Sequence, residues 1–364
     1  MSPVAASDAF AAASPAIDYA KEQDDEIEGL QAIYVENFED ADMNAAAWVV
    51  EDKDGWSALL ETRGLLVKGS MSTVKVRIVC VSDTHNHSPG EGYKLPKGDV
   101  LIHAGDLTNQ GSLAELKKAV DWISKADFEA KVIVADPDYA LKHKSGWGVV
   151  PADVEACRNL VVSNDNFVYL QHASAVIPLP SKGTHLRVFG SPYSPDRGRQ
   201  NWAFQYEENA AESIWGAVPD GIDLLVTHTP PKGCLDASKH WEEGGCPALK
   251  AALSRIRPLV HVFGHCHEGR GAQVVQHITH SDNPTPSITW DDPGAQSNKQ
   301  SLLNLTGKGI GLRSREQSAM VNASISATSF HRGAKAFNKP IVVDVEIPLR
   351  GATASGNAEA GGGE

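Results

Sequence analysis

VKVRIVCVSDTHNHSPGEGYKLPKGDVLIHAGD, residues 74–106, holds two apolar, β-branched runs that each stop at residues able to bind a cation. Val74 to Val81 ends in Ser82-Asp83-Thr84-His85, and Val100 to Ala104 ends in Gly105-Asp106. Both runs read as buried strands, because β-branched side chains fit a pleated surface. Asp83 and His85 are two apart, so in an extended chain they project to the same side. A carboxylate and an imidazole facing one way suit a single divalent cation. An isolated Asp-x-His carries little weight, but the pattern recurs. Ile222–Thr227 is apolar and ends at His228, and Leu259–Phe263 is apolar and ends in Gly264-His265-Cys266-His267. Asp83, His85, Asp106, His228, His265 and His267 therefore fall just past the carboxyl ends of four strands, the edge at which open α/β sheets bind ligands.

The rest of the chain bounds this reading. It has 364 residues, 41% hydrophobic and 22% charged, within the range of soluble globular proteins and enough for one large or two ordinary domains. A net charge of −13 argues against a duplex nucleic-acid binder, though not against a phosphate substrate, since a bound cation inverts the local field. The first residues lack a basic segment followed by an apolar one, and no apolar run is long enough to span a bilayer. Cys80, Cys157, Cys234, Cys246 and Cys266 are odd in number and scattered, which suggests no disulfide framework. A reducing, cytoplasmic location is the expectation.

Ser112 caps a helix with apolar positions Leu113, Leu116, Val120 and Ile123, and Lys131–Ala135 is the next strand. Strand, helix, strand is the unit of a layered α/β fold. Asn159–Val162, Phe167–Leu170, Ala175–Pro178 and Leu186–Phe189 read as further strands, and Glu207–Trp215 and Pro247–Ile256 as helices. Residues 279–316, rich in Ser, Asn, Pro and Gly, read as an irregular excursion, before strands at 319–326 and 340–347.

The ordered series Asp-x-His, Gly-Asp, His, Gly-His-x-His resembles the calcineurin-like metallophosphoesterase superfamily, and the likeness runs from about residue 74 to 347. Phe189-Gly190-Ser191-Pro192, Thr227-His228-Thr229-Pro230-Pro231 and Asn338-Lys339-Pro340 are similar to its metallophosphoesterase-domain subgroup. The resemblance implies an α/β fold, a two-sheet sandwich flanked by helices, holding two divalent metal ions (Mn, Fe or Zn). Asp83, His85 and His267 would hold the first, Asp106 would bridge, and His228 and His265 would hold the second, with Asp106 and His228 central to the chemistry. One oxygen donor between two cations keeps them about 3.5–4 Å apart, where they clamp both oxygens of an in-line displacement. A water of lowered pKa then serves as nucleophile, and no Ser or Cys nucleophile is needed. Cys266 reads as a small core residue. Arg197 and Arg199 are open to contact with a phosphate or to solvation on a loop.

Earlier, YAKEQDDEIEGLQAIYVENF, residues 19–38, has Ile27, Leu30, Ile33 and Tyr34 at helical spacing. With Glu28, Ala32 and Phe38 it resembles the opening helix of an RWD domain, an interaction module, which implies a short helical extension and a protein partner there; an ordinary amphipathic helix is the alternative. The expected organisation is a disordered 1–18, a partial RWD-like segment 19–63, a linker 64–73, a phosphoesterase domain 74–348 and a disordered tail 349–364.

One motif departs. Where the superfamily has Gly-Asn-His-[Asp/Glu], this chain reads Ala135-Asp136-Pro137-Asp138-Tyr139. The missing Asn would hold the second metal and the missing His would protonate the leaving group. Three explanations stand: a lost motif in a weakened or silent protein; compensation by Asp136 or Asp138 as ligand with His87 or His143 as acid; or a coding-sequence error. The expected function is a dinuclear metal-dependent phosphoesterase acting on a small phosphomonoester or phosphodiester. The alternative is a catalytically silent scaffold.

Overall fold

In the computed structural model, residues 72–134, 151–198, 204–241, 244–277, 287–313, 315–328 and 336–350 are described. The expected extension at 19–63 and the tail from Gly351 lie outside them, as do Asp136, Asp138, His143 and Arg199.

The run from residue 74 forms β1 (Thr73–Val81), a strand whose alternation splits its apolar residues between two cores. Val76, Ile78 and Cys80 face one cluster, and Val79 and Val81 the other. Beside β1 lie β2 (Val100–His103), β3 (Ala130–Ile133) and β4 (Val168–Tyr169), each parallel to its neighbour. On its other side β1 pairs antiparallel with β15 (Ile341–Pro348), which pairs parallel with β13 (Ser301–Asn304). The first sheet thus runs β13-β15-β1-β2-β3-β4. Its β1–β15 register sets Arg77 opposite Asp344, where the guanidinium donates from Nε and Nη2 to the two carboxylate oxygens at 2.6 and 2.7 Å.

A second sheet is built around β6 (Thr184–Ser191), β9 (Leu224–Thr227), β10 (Val260–Phe263) and β14 (Gln317–Asn322), all parallel. Antiparallel strands close it: β5 (Ala173–Leu179) on β6, and β11 (Gly271–Gln276) with β12 (Ile288–Thr289) beyond β14. The two sheets share one core. Val76, Ile78 and Ile102 from the first belong to the same buried cluster as Leu224, Val226, Val262 and Val321 from the second. Full burial of each such side chain stabilises by about 1.5–3 kcal/mol.

Helices cover the outer faces. Ser112 accepts from the Glu115 amide and starts α1 (Leu113–Lys125) with a full capping box, as its sequence predicts. Leu116, Val120 and Ile123 pack with Ile133 and with Cys157 and Val161 of α2 (Pro151–Val162). On the second sheet Trp215 of α3 (Ala211–Gly216) and Leu249 and Leu253 of α4 (Pro247–Ile256) bury Leu225 and Phe263.

Three expectations are corrected. Asn159–Val162 is the last turn of α2, not a strand: Cys157 and Val161, four apart, face the α1 layer together. Residues 279–316 are not wholly irregular, since Ile288–Thr289 and Ser301–Asn304 pair as β12 and β13. Glu207–Trp215 is a 3₁₀ turn, Glu208–Ala210, followed by the short α3.

Candidate metal centre

β1 and β2 of the first sheet and β9 and β10 of the second send their carboxyl ends to one place. The exits of β1 and β14 run side by side there, with a parallel bridge between Ser82 and Ser324. The Ser82 amide donates to the Ala323 carbonyl at 3.0 Å, and the Ile325 amide returns to the Ser82 carbonyl at 2.8 Å. The loops after β1 and β2 are also joined, because the Asp83 amide donates to Gly105 O at 3.0 Å and the His85 amide to Asp106 O at 3.1 Å.

The six residues of the sequence pattern converge here. One ligand atom from each of Asp83, His85, Asp106 and His267 lies within 4.8 Å of the others. His267 Nε2 is 3.2 Å from Asp83 Oδ1 and 3.2 Å from His85 Nε2. Asp106 faces both halves, with Oδ2 3.6 Å from His85 Nε2 and Oδ1 3.4 Å from His228 Nε2. His265 Nδ1 closes the set at 3.2 Å from His228 Nε2.

Asp83 and His85 do not lie in extended chain, contrary to expectation. Asp83 (φ 52°), His85 (φ 43°), Asp106 (φ 51°) and His265 (φ 67°) all adopt left-handed backbone. Each such residue costs about 1–3 kcal/mol and persists only where its surroundings enforce it. Convergence is thus achieved by turns after the strands, not by strand alternation. Two glycines make room. Gly105 has φ 110°, and a Cβ there would stand 2.5 Å from His228 Nδ1. At Gly264 a Cβ would overlap the Asp83 carboxylate and the Ser82 hydroxyl.

The donor set fits a cation. His228 Nδ1 lies 3.0 Å from Ala104 O and His85 Nδ1 3.3 Å from Thr108 O. A carbonyl only accepts, so each Nδ1 donates and Nε2 is the ring nitrogen left facing the centre. The facing ring nitrogens of His85 and His267, like those of His228 and His265, bring basic atoms together as metal ligation requires. Burial of Asp83 opposes its charge, but the imidazoles of His267, His228 and His85 hold its carboxyl well below the usual carboxylate range. Burial likewise works against charge on His267, yet the adjoining Asp83 carboxylate lifts it to about 9. His265 is pushed down to about 3, first by burial and then by His228.

Neighbouring residues fix these groups. His103 and His261 are fully buried and pushed down to about 3 by burial, and they meet the hydroxyls of Thr84 at 2.9 Å and Thr227 at 2.8 Å. Each threonine adjoins a site residue. His87 Nδ1 lies against the carbonyls of Thr84 and His85 and its ring packs on Phe337, so it braces the loop. Arg197 donates from Nη2 to the carbonyls of Gly244 and Gly245 at 3.0 and 2.9 Å and lies over Trp241. Trp241 in turn stacks on His265. Cys266 is a buried free thiol, as are the other four cysteines. Sequence reasoning passed over Trp241, Asn322 and Ser324. Asn322 ends β14 and Ser324 lies two residues beyond it, inside the run 319–326 that the sequence presents as continuous strand.

No family model matches the chain. It is 40% identical over 209 residues to a protein named probable rhamnogalacturonate lyase C of Emericella nidulans, a match covering 55% of this chain and 18% of that one. It is 34% identical over 216 residues to human metallophosphoesterase domain-containing protein 1, covering 54% of this chain and 62% of that protein. The chain therefore spans less than two thirds of the length of either. It is 30% identical over 206 residues to UPF0046 protein C25E10.12 of Caenorhabditis elegans, covering 54% of this chain and 70% of that protein.

Proposed function

The chain belongs to the family of UPF0046 proteins, is similar in sequence to metallophosphoesterase domain-containing protein 1 and so stands in the calcineurin-like metallophosphoesterase superfamily; on that premise we propose that it is a dinuclear metal-dependent phosphoesterase acting on a small phosphomonoester or phosphodiester. The observation that carries this reading is the Asp106 carboxylate, which faces His85 with one oxygen and His228 with the other. That is the disposition a bridging ligand needs. Two divalent cations in such a site supply Lewis-acid stabilisation of phosphoryl charge and a lowered water pKa. The protein's own part is to hold and orient. Asp83 and His267 form the inner wall on one side, and His228 and His265, backed by Trp241, form the other. Mixed imidazole and carboxylate donors suit Mn, Fe or Zn.

Turnover is expected to be reduced, because Ala135-Asp136-Pro137-Asp138 stands where the superfamily has its Asn and acid His. General acid catalysis contributes about 10²- to 10⁴-fold. The same departure favours a second reading, a catalytically silent protein using the fold as a scaffold. Hydrolysis of a chromogenic phosphodiester by purified protein with added Mn²⁺ separates the two. The enzyme reading expects turnover that Asp106→Asn abolishes. Turnover unchanged in that variant refutes it, and metal binding without any turnover favours the scaffold.

A further inference from the structure

Asn322, the last residue of β14, is fully buried and touches two loops of the centre. Its Nδ2 donates to Leu235 O at 2.9 Å and to Cys266 O at 2.8 Å. Cys266 is the residue between His265 and His267. Both amide protons are thereby used, and the two carbonyl acceptors fix which way the amide faces. Oδ1 then accepts from the Ser324 amide at 3.2 Å and lies 2.8 Å from Ser324 Oγ. Ser324 Oγ is also 2.8 Å from Asp83 Oδ2.

A hydroxyl has one proton, and here it stands between two acceptors at the same distance. Donation to an ionised carboxylate is charge-assisted and roughly twice as strong as donation to a neutral amide oxygen. The Ser324 proton therefore goes to Asp83, and Asn322 Oδ1 keeps the Ser324 amide as its donor. Ser324 Oγ lies on Asp83 Oδ2 alone, while the His265 amide is shared between Oδ2 at 3.0 Å and Oδ1 at 3.1 Å. Asp83 Oδ1, the oxygen 3.2 Å from His267 Nε2, is turned toward the centre.

From this we infer that Asn322 and Ser324 are positioning residues of the metal centre. Asn322 fixes the His265-Cys266-His267 turn through the Cys266 carbonyl, and Ser324 sets which oxygen of Asp83 faces the cation. The inference rests on the reading of the centre as metal-binding. Ser326 offers a matched control: it too is buried and donates to Asp83, at 2.8 Å, but to the backbone carbonyl rather than the carboxylate.

Mn²⁺ affinity, titrated calorimetrically on the full chain, is the readout, with thermal melting of the metal-free protein alongside. Ser324→Ala is expected to weaken Mn²⁺ binding by about 10- to 100-fold, the usual effect of removing a group that orients a ligand. Asn322→Ala should do the same, and Ser326→Ala should lower the melting temperature while leaving affinity intact. If Ser324→Ala melts too low to titrate, Ser324→Cys replaces it, since a thiol fills the place but donates weakly. Unchanged affinity in the Ser324 variants, or equal weakening in Ser326→Ala, overturns the inference. Absence of binding by the unaltered chain overturns instead the reading of the centre on which it stands.

Discussion

Gly105→Ala is a sharp test of how the site is built, because one methyl group strikes both backbone and ligand. Gly105 has φ 110°, and the new Cβ would meet His228 Nδ1 at 2.5 Å and Cγ at 3.0 Å. Carbon contacts settle at about 3.5–4.0 Å, so the imidazole must retreat by about 1 Å. Its Nδ1 is held 3.0 Å from Ala104 O, and that bond is lost in the retreat. The backbone strain costs about 1–3 kcal/mol and the hydrogen bond about 0.5–1.5 kcal/mol. A loss of about 1.5–4.5 kcal/mol in urea unfolding is therefore expected. Displacement of a ligand by this distance can cost about 10²-fold in rate, and any Mn²⁺-dependent turnover should fall on that scale. Gly183→Ala separates the two contributions. Gly183 has φ 62°, but the nearest atom to its Cβ is 3.9 Å away. It should lose stability through strain alone and keep metal affinity. If Gly105→Ala unfolds within about 0.5 kcal/mol of the unaltered chain and binds Mn²⁺ as well, the crowding argument is wrong.

Other outcomes follow from the ion pair between Asp223 and Arg350, both almost fully buried, with Nη1–Oδ2 at 2.6 Å and Nη2–Oδ1 at 2.8 Å. Arg350→Leu removes the two-pronged partner of a buried carboxylate, leaving it the Arg187 amide at 2.8 Å and the Arg187 guanidinium at 3.6 Å, and should cost up to about 3–5 kcal/mol in denaturant unfolding at pH 7. The double variant Asp223→Leu/Arg350→Leu should be less damaged than the single one. Burial works against the Asp223 charge, but Arg350 and the Arg187 amide hold its pKa below the ordinary value. A depressed carboxyl contributes stability above the unfolded pKa of about 3.9 and loses it as pH falls through the folded value. In Arg350→Leu only the Arg187 amide and guanidinium remain to oppose burial, so that pKa lies higher than in the parent and acidification harms the variant less. The stability gap between them should narrow between pH 7 and pH 4. A gap that widens on acidification would contradict this sign.

How much the sequence disclosed depends on whether the signal was local. The apolar runs of β1, β2, β9 and β10, the Ser112 cap and the helix Pro247–Ile256 are written in neighbouring residues, and the structure places them within a residue or two. β11, GAQVVQ, lacks both a β-branched run and clean alternation, and it is a strand because it lies antiparallel between β14 and β12. β13, SLLN, is four residues in a Ser- and Asn-rich stretch, and its partner β15 comes some forty residues later. Pairings at such separation leave no periodic trace. The six convergent residues were legible as a group because each lies just past an apolar run. The left-handed turns at Asp83, His85, Asp106 and His265 were not, since they depend on contacts between loops far apart in the chain. Asn322 and Ser324 stood in a run read simply as strand, and their partners Cys266 and Asp83 lie 56 and 241 residues away.

The most direct test of the account is the number of divalent cations the full chain retains, read by titration of the metal-stripped protein with Mn²⁺ and by elemental analysis after gel filtration. Six convergent side chains with Asp106 shared between two groups predict two ions per chain, falling when Asp106→Asn removes the shared carboxylate. A chain that retains no cation, with the Asp106→Asn variant indistinguishable from it, would contradict the central claim.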